Sequence, residues 1–193
     1  MARQTTIAAT LLLCAACVRP AAPHGAVAGW IARFDGGPLR AESGAGWEIS
    51  TDSRAGGRST AQMGLAEGGA EGTGGALAVS GTVDPGLPYA WAGASYSPGP
   101  ARYAPADLST RTELVFWARG DGRTYRVMML SGAPDGREIR SEQRFATSPE
   151  WSLVRIPLAG MRGANLAEVR AITFAAGPEP GAFSFAIDQL QLR

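Results

Sequence analysis

The segment from Phe116 to Leu130 limits the possible folds of this chain more strongly than any other stretch. Two runs rich in apolar and aromatic residues flank a polar turn, Gly120–Arg123, in which a glycine stands on each side of Asp121. Glycine adopts the positive φ of tight turns without steric cost, and alternating apolar residues give a strand one buried face. The pattern therefore predicts two adjacent strands that pair as a β-hairpin.

Strand-like segments of this kind recur along the chain, separated by turn residues. The sequence has 26 glycines and 13 prolines, which favour turns over long helices. Many short strands between turn signals are typical of a β-sandwich or jelly roll. We therefore predict one all-β domain over residues 30–193, with a glycine-rich loop at 64–75. The candidate strands are residues 30–34, 47–51, 60–65, 76–80, 89–96, 111–118, 124–130, 139–145, 151–158, 169–175 and 183–192.

The last candidate strand changes phase near Asp188. Apolar residues occupy alternate positions from Phe183 to Ile187 and then resume one residue out of step at Leu190, which predicts a β-bulge. If the strands at the two ends of the domain pair, Asp188 would approach Asp35. The two carboxylates would then form a structural calcium site, because calcium prefers carboxylate and carbonyl oxygens. A bulge that Asp188 caps, with no cofactor, is the favoured interpretation, and the calcium site is the alternative.

Composition excludes several classes of function. The formal net charge is +1, and the 18 basic residues are all arginines. A chain with so small a net charge lacks the concentrated positive field that phosphate-binding proteins use, so we expect no nucleic-acid partner. The absence of lysine excludes a lysine Schiff base, a lysine general base and the lysine of a P-loop.

Common catalytic motifs are also missing from the sequence. The single histidine, His24, precedes the predicted domain, so the domain has no imidazole for a Ser-His-Asp arrangement or a histidine-rich metal site. There is no GxSxG, GxxxxGK[ST] or HExxH pattern. We therefore expect a protein that is not an enzyme. A glycoside hydrolase remains an alternative, because its carboxylate pair is defined by distance in space and 17 acidic residues are present.

The first 17 residues resemble a bacterial lipoprotein signal. A basic residue precedes a short apolar run at 7–13, and the small residues of the Cys14–Cys17 segment follow it. We expect lipidation at Cys17, a tether over residues 18–29, and a location in the cell envelope with membrane contact only through the lipid. Secretion of a soluble protein after cleavage at 26–28 is the alternative. Both cysteines lie in the signal segment, so the predicted domain has no disulfide.

The turn from Asp52 to Ser59 is the first candidate for binding a ligand or partner. Its two central glycines expose backbone amides, which could converge on an anion together with the guanidinium groups of Arg54 and Arg58. The alternative is a purely structural turn in which Asp52 caps backbone amides. The candidate residues are Asp52, Arg54, Gly56, Gly57, Arg58 and Ser59.

Aromatic residues form the second candidate site, which would bind a glycan. Tyr89 and Trp91 point to one face of a regular strand, and Trp117 and Tyr125 flank the turn around Asp121. Core packing is the alternative, because large aromatic side chains commonly fill the interiors of sandwiches. The turn adds two further candidate contacts, Asp121 and Arg123.

These motifs together resemble one known family, named after the thirty-kilodalton complex I (NADH:ubiquinone oxidoreductase) intermediate-associated protein. The resemblance spans residues 30–193 and implies a galactose-binding-like jelly roll that binds a protein or a ligand without catalysis. The leading hypothesis is an envelope-tethered binding or assembly module with a protein partner, and the alternative is a carbohydrate-binding module. The resemblance rests on Trp47, Asp52, Gly56, Gly57, Ser59 and the segments 116–125, 151–157 and 185–188.

Overall fold

The computed structural model describes residues 29–193, which form an all-β sandwich of two antiparallel sheets. This architecture confirms the fold class that the sequence predicted. The strands are β1 (Trp30–Ala32), β2 (Gly46–Thr51), β3 (Thr60–Glu67), β4 (Gly75–Val83), β5 (Ala92–Ser97), β6 (Glu113–Gly120), β7 (Thr124–Gly132), β8 (Glu138–Ala146), β9 (Ser152–Pro157), β10 (Val169–Ala176) and β11 (Gly181–Leu192). Short 3-10 helices lie at Asp52–Ala55, Ala70–Gly72, Leu158–Gly160 and Leu166–Glu168.

Each sheet combines strands that are distant from one another in the sequence. The six-stranded sheet has the order β3-β4-β11-β6-β9, and β1 also pairs with β11. The five-stranded sheet has the order β2-β5-β10-β7-β8. No helix within residues 29–193 is long and apolar enough to cross a bilayer.

Aromatic side chains join the two sheets at the centre of the core. Phe116 of the six-stranded sheet meets Phe174 of the five-stranded sheet edge to face, with ring centroids 5.1 Å apart. Tyr125 packs against Phe185 at 4.5 Å, again across the two layers. All four rings are buried, and such pairs stabilise a core by about 0.5–1.5 kcal/mol beyond their buried area.

The predicted β-hairpin between β6 and β7 is wrong. β6 pairs with β11 and β9, whereas β7 pairs with β10 and β8 in the other sheet. The segment 121–123 therefore crosses from one layer to the other. Its backbone is held by β11, because Asp121 N donates to Ser184 O at 3.1 Å. Alternation identified both strands and their shared buried face, but alternation carries no information on which strand pairs with which.

The C-terminal strand contains the predicted bulge. The register of β11 against β6 shifts between Asp188 and Gln191, and Gln189 has a φ of 49°. The predicted loop at 64–75 is shorter than expected, because β3 continues to Glu67 and β4 starts at Gly75. Cross-strand pairing with β4 keeps the small residues of this segment extended.

Candidate ligand-binding groove

The outward face of the five-stranded sheet has a floor of small side chains. Strands β5 and β10 lie at its centre, and their core-facing residues alternate with small residues that point away from the core. These outward residues are buried even so, with Ser95 only 1% exposed and Thr173 only 7% exposed. The two hydroxyl groups lie 2.9 Å apart. We call this strip the groove floor, and it consists of Gly93, Ser95, Ser97, Ala171, Thr173 and Ala175.

Longer side chains on the flanking strands form the walls of the groove. The register places Glu48 of β2 opposite Ser95 on one side of the floor. On the other side, Met128 of β7 is opposite Thr173, and Glu142 of the edge strand β8 is opposite Met128. A single row across all five strands therefore runs from one carboxylate wall, over two hydroxyl groups, to the other. We call this strip of small residues between longer flanking side chains the groove.

Arg126 is a buried cation in the wall on β7. Its residue is 5% exposed, Nη2 donates to Ala90 O at 3.0 Å, and Nη1 donates to Glu142 Oε2 at 3.2 Å. Nε is buried and has no hydrogen-bond partner within residues 29–193. Gly177 leaves the space for this group, because a Cβ there would overlap Ala90 O and come 3.0 Å from Arg126 Nη2.

The opposite wall carries a second charged cluster. Arg102 Nε donates to Glu48 Oε2, and the Arg102 guanidinium lies 4.9 Å from the ring centroid of Tyr103. Burial raises the pKa of Tyr103, and hydrogen bonding and charge at Glu48 raise it further, so the phenol stays neutral near pH 7. Glu48 Oε1 is buried without a hydrogen-bond partner in the described part of the chain.

Trp91 stands at one end of the groove. It precedes β5 at a position that faces outward with Gly93, and its Nε1 donates to Ser50 Oγ at 3.2 Å. The ring is half-buried, so part of its surface is open to a ligand. Tyr89, two residues earlier, is 79% exposed.

The structure does not bring the four predicted aromatic residues together. Trp117 lies on the outward face of the six-stranded sheet, opposite Leu153 of β9, on the far side of the sandwich from Trp91. Tyr125 is fully buried in the core, where Asp121 and Ser184 bind its hydroxyl. Core packing, the alternative interpretation, is therefore correct for Tyr125.

The turn from Asp52 to Ser59 is organised around a buried carboxylate. Asp52 Oδ1 accepts from Ser59 N at 3.1 Å, and Asp52 Oδ2 accepts from Ser59 Oγ at 2.7 Å. Gly56 closes the 3-10 turn with a φ of 86°. A Cβ on Gly57 would overlap the Asp52 carboxylate. Four of the six candidate residues thus hold the turn itself.

The two arginines of that turn are separate from this hydrogen-bond network. Arg54 and Arg58 are both exposed, and the positive charge of Arg54 lies near enough to Tyr103 to lower the pKa of its phenol. Binding of an anion by the backbone amides of the turn together with these two guanidinium groups remains a prediction.

Asp121 and Arg123 fasten the crossing between the sheets to β11 and the turn before it. Arg123 Nη1 donates to Ala182 O at 2.7 Å, and Nη2 donates to Glu179 O at 2.6 Å. Asp121 Oδ2 accepts from Ser184 N at 3.0 Å. Each of these candidate contacts has a structural partner.

Asp35 and Asp188 both hold the loop between β3 and β4. Asp188 is fully buried, and its Oδ2 accepts from Ala70 N at 2.9 Å and from Thr73 Oγ1 at 2.7 Å. Asp35 Oδ1 accepts from Gly74 N at 2.9 Å. Within residues 29–193, no group of three or more His, Cys, Asp or Glu side chains is placed to hold a metal ion. A calcium site would therefore depend on backbone and hydroxyl oxygens beside these two carboxylates, and it remains a prediction.

Sequence reasoning missed most of the groove, including Glu48, Ser95, Arg102, Arg126, Glu142 and Thr173. Two signals were present. Small residues alternate with core residues in both β5 and β10, and an arginine interrupts the apolar run of β7. Cys17, the predicted lipidation site, lies outside the described residues.

The fold is that of the β-sandwich carbohydrate-binding modules. The family 11 module of the cellulosomal cellulase Lic26A-Cel5E of Clostridium thermocellum is similar with a TM-score of 0.63 and 19% identity, over 87% of this chain and 95% of that chain. The family 11 module from the same organism, solved with a β-1,3-1,4-mixed-linked tetrasaccharide, gives 0.62 and 18% over 85% and 94%. A family 30 module gives 0.62 and 15% over 84% and 97%.

The chain belongs to the family of Complex I intermediate-associated protein 30 (CIA30), whose family model matches residues 39–175. This match confirms the resemblance that the sequence motifs indicated. No curated protein sequence matches the chain.

Proposed function

We propose that this protein is a non-catalytic module that binds an extended polysaccharide in the groove. The observation that carries the proposal is the strip of small, buried hydroxyl and methyl side chains between two polar walls, with Trp91 at its end. A floor without large side chains admits a flat chain of sugar rings. From Trp91 to Ser97 the floor spans about 20 Å of extended strand, which is long enough for several rings.

The groups along the groove are suited to sugar hydroxyls. The Ser95 and Thr173 hydroxyls are buried and hydrogen-bond each other, so they form a smooth floor, and the exposed carboxylate of Glu142 on the wall can accept from sugar hydroxyls. An open face of Trp91 can stack on a sugar ring, since an indole combines an apolar surface with a polar edge. The similarity to family 11 and family 30 carbohydrate-binding modules supports this proposal.

The positions of the carboxylates favour binding over glycoside hydrolysis. Glu48 and Glu142 stand on opposite walls, four strand spacings apart, which corresponds to about 19 Å. Hydrolysis by a carboxylate pair requires about 5–9.5 Å between the two groups. This separation supports a non-catalytic role and weakens the hydrolase alternative.

Association with a protein is a second candidate function, on the opposite face of the sandwich. The outward face of the six-stranded sheet exposes 44% of Leu153, and its cross-strand partner Trp117 is half-buried beside it. Exposed apolar side chains on one surface are a common feature of protein interfaces. The family name, which refers to an intermediate of complex I, supports a partner of this kind.

A pair of matched tryptophan variants separates the two functions. Full-length wild type, Trp91→Ala and Trp117→Ala are tested for retardation in gels that contain soluble glucans, xylan or acidic polysaccharides, and for capture of proteins from envelope extracts. If the groove binds glycans, Trp91→Ala should lower the affinity for the retarding polysaccharide at least about tenfold, whereas Trp117→Ala should keep the affinity of the wild type. Retardation that is equal in all three proteins would contradict the groove as the binding site.

We also propose that the module is tethered in the bacterial envelope through a lipid on Cys17. The support is the sequence of residues 1–17 alone, with its short apolar run and the small residues before that cysteine. The groove lies on the five-stranded sheet, whereas β1, which follows the proposed tether, joins the six-stranded sheet. A tether of this kind would leave the groove accessible.

A further inference from the structure

Arginine is the main charged residue along the walls of the groove. Arg126, Arg140 and Arg144 share this face of β7 and β8 with two carboxylates, Glu138 and Glu142, and Arg170 follows the core residue Val169 on β10. Arg140 is paired with Glu138, and Arg126 is paired with Glu142. The remaining charge on this side is therefore positive, although the net charge of the whole chain is only +1.

The positive charge is concentrated where two arginines face each other. Arg126 and Arg144 are direct cross-strand partners in the β7–β8 pair. Like charges in this arrangement repel and destabilise a sheet. Arg144 is exposed and has no ion pair among residues 29–193. Glu142 is ion-paired with Arg126 and therefore offsets only one of the two guanidinium groups.

Two of the guanidinium groups also have unused hydrogen-bond capacity. The Nε atoms of Arg126 and Arg170 are both buried without a partner in the described residues. Arg170 lies against β7, since a Cβ on Gly132 would come 2.9 Å from Arg170 Nη2. A buried cation with an unpaired donor destabilises a protein unless an anion or acceptor completes it.

We propose that the groove binds an acidic polysaccharide, whose carboxylate or sulfate groups bind Arg126 and Arg144. This inference rests on the proposed glycan-binding function and specifies its ligand. An anionic group between the two guanidinium groups would relieve their repulsion and accept charge-assisted hydrogen bonds in the forked geometry that arginine provides. A neutral glycan would supply acceptors but would leave the repulsion in place.

The test compares full-length protein with three polymers of different charge by titration calorimetry. Polygalacturonate carries carboxylates, dextran sulfate carries sulfate esters, and a mixed-linked β-glucan is neutral. We expect the wild type to bind at least one acidic polymer about tenfold or more tightly than the neutral one, and added salt to weaken that binding. The polymer that binds more tightly identifies the acidic group.

Arg144→Gln is the main variant, because the side chain is exposed and its loss leaves the core intact. It should weaken binding of the acidic polymer by about tenfold, as expected for a charge-assisted contact, and weaken binding of the neutral polymer by less. Arg119→Gln is the matched control, since it removes the same charge from the opposite sheet. Arg126→Gln is measured together with its melting temperature, so that a folding defect is recognised.

The results that would overturn the acidic ligand differ from those that would overturn glycan binding. Equal binding of acidic and neutral polymers, or equal affinities of Arg144→Gln and Arg119→Gln, would overturn the acidic ligand and leave the glycan-binding function standing. Failure of every polysaccharide to bind would overturn both proposals. Binding of single-stranded RNA as tightly as the acidic polymer would also overturn this inference, because the groove would then respond to negative charge alone.

Discussion

The hydroxyl of Tyr125 lies 2.8 Å from Asp121 Oδ1 and donates to it, from a ring that is completely buried between the two sheets. Ser184 N donates to the same hydroxyl at 3.2 Å and to Asp121 Oδ2 at 3.0 Å. One side chain from the core thus fixes the point where the chain crosses from β6 to β7 and ties it to β11.

Tyr125→Phe should lower the free energy of unfolding by about 1.5–3 kcal/mol, because it removes a hydrogen bond to a charged group and leaves the rest of the ring in place. Urea denaturation measures this change. Tyr89→Phe is the control, since Tyr89 is 79% exposed, and it should change stability by less than about 0.5 kcal/mol. Equal stability of the two variants would show that the Asp121 contact contributes nothing.

Alkaline pH should destabilise the wild type more than Tyr125→Phe. Burial raises the pKa of Tyr125 well above its ordinary value, and the hydrogen bond and charge of Asp121 raise it further. The unfolded chain therefore loses this proton at lower pH than the folded protein, so stability falls once pH exceeds about 10. Melting temperatures between about pH 9 and pH 11 should decline less steeply in the variant. Parallel declines would contradict the prediction.

Gly57→Ala should destabilise the turn between β2 and β3. Its Cβ would overlap the Asp52 carboxylate and displace it from both hydrogen bonds to Ser59, at a cost of about 1–3 kcal/mol. Gly64→Ala in β3 is the control, because a Cβ there meets no atom within 4 Å. The control should remain within about 0.5 kcal/mol of the wild type. The same thermal shift in both variants would mean that the turn tolerates a displaced Asp52.

If Asp35 and Asp188 bind calcium, the ion should raise the melting temperature of the wild type, and Asp188→Asn should abolish that rise. Burial raises the pKa of Asp188, and the nearby negative charge of Asp35 adds to it, so a divalent cation would relieve the repulsion. The measurement is differential scanning fluorimetry with calcium or with EDTA. A melting temperature that EDTA leaves unchanged would remove the calcium prediction. Asp188 would then be a hydrogen-bonding anchor for the β3–β4 loop.

Lipid attachment should depend on Cys17 and not on Cys14. Cys17→Ser should abolish incorporation of labelled palmitate in bacterial cells, while Cys14→Ser should retain it. Mass spectrometry of the mature N-terminus locates the modified residue. A mature protein that starts after residue 28 without lipid would favour the secretion alternative.

The fold class was predictable because its signals are local. Alternating residues identify strands and their buried faces, and the phase change before Leu190 identified the bulge at Asp188. The partners of β6 were not predictable in this way. Strand pairing depends on contacts between distant segments, so two neighbouring strands such as β6 and β7 can be identified correctly and still be assigned to the wrong sheet.

The groove was less accessible to sequence reasoning than the fold. Ser95 and Thr173 become adjacent only through the register of β5 and β10. The pair indicates a ligand-binding surface only together with Glu48 and Arg126 on the flanking strands. In contrast, capping by Asp52 depends on a residue only seven positions away, and that alternative was visible in the sequence. The aromatic residues were misleading because a strand's two faces cannot be assigned to core or solvent without its partner sheet.

The position of β11 has a consequence for how the protein is made. β11 pairs with β1, β4 and β6, all of which precede it in the chain. During synthesis from the N-terminus, these three strands lack a shared neighbour until residues 181–192 have left the ribosome. The chain would consequently stay without its complete six-stranded sheet until synthesis reaches the end of β11.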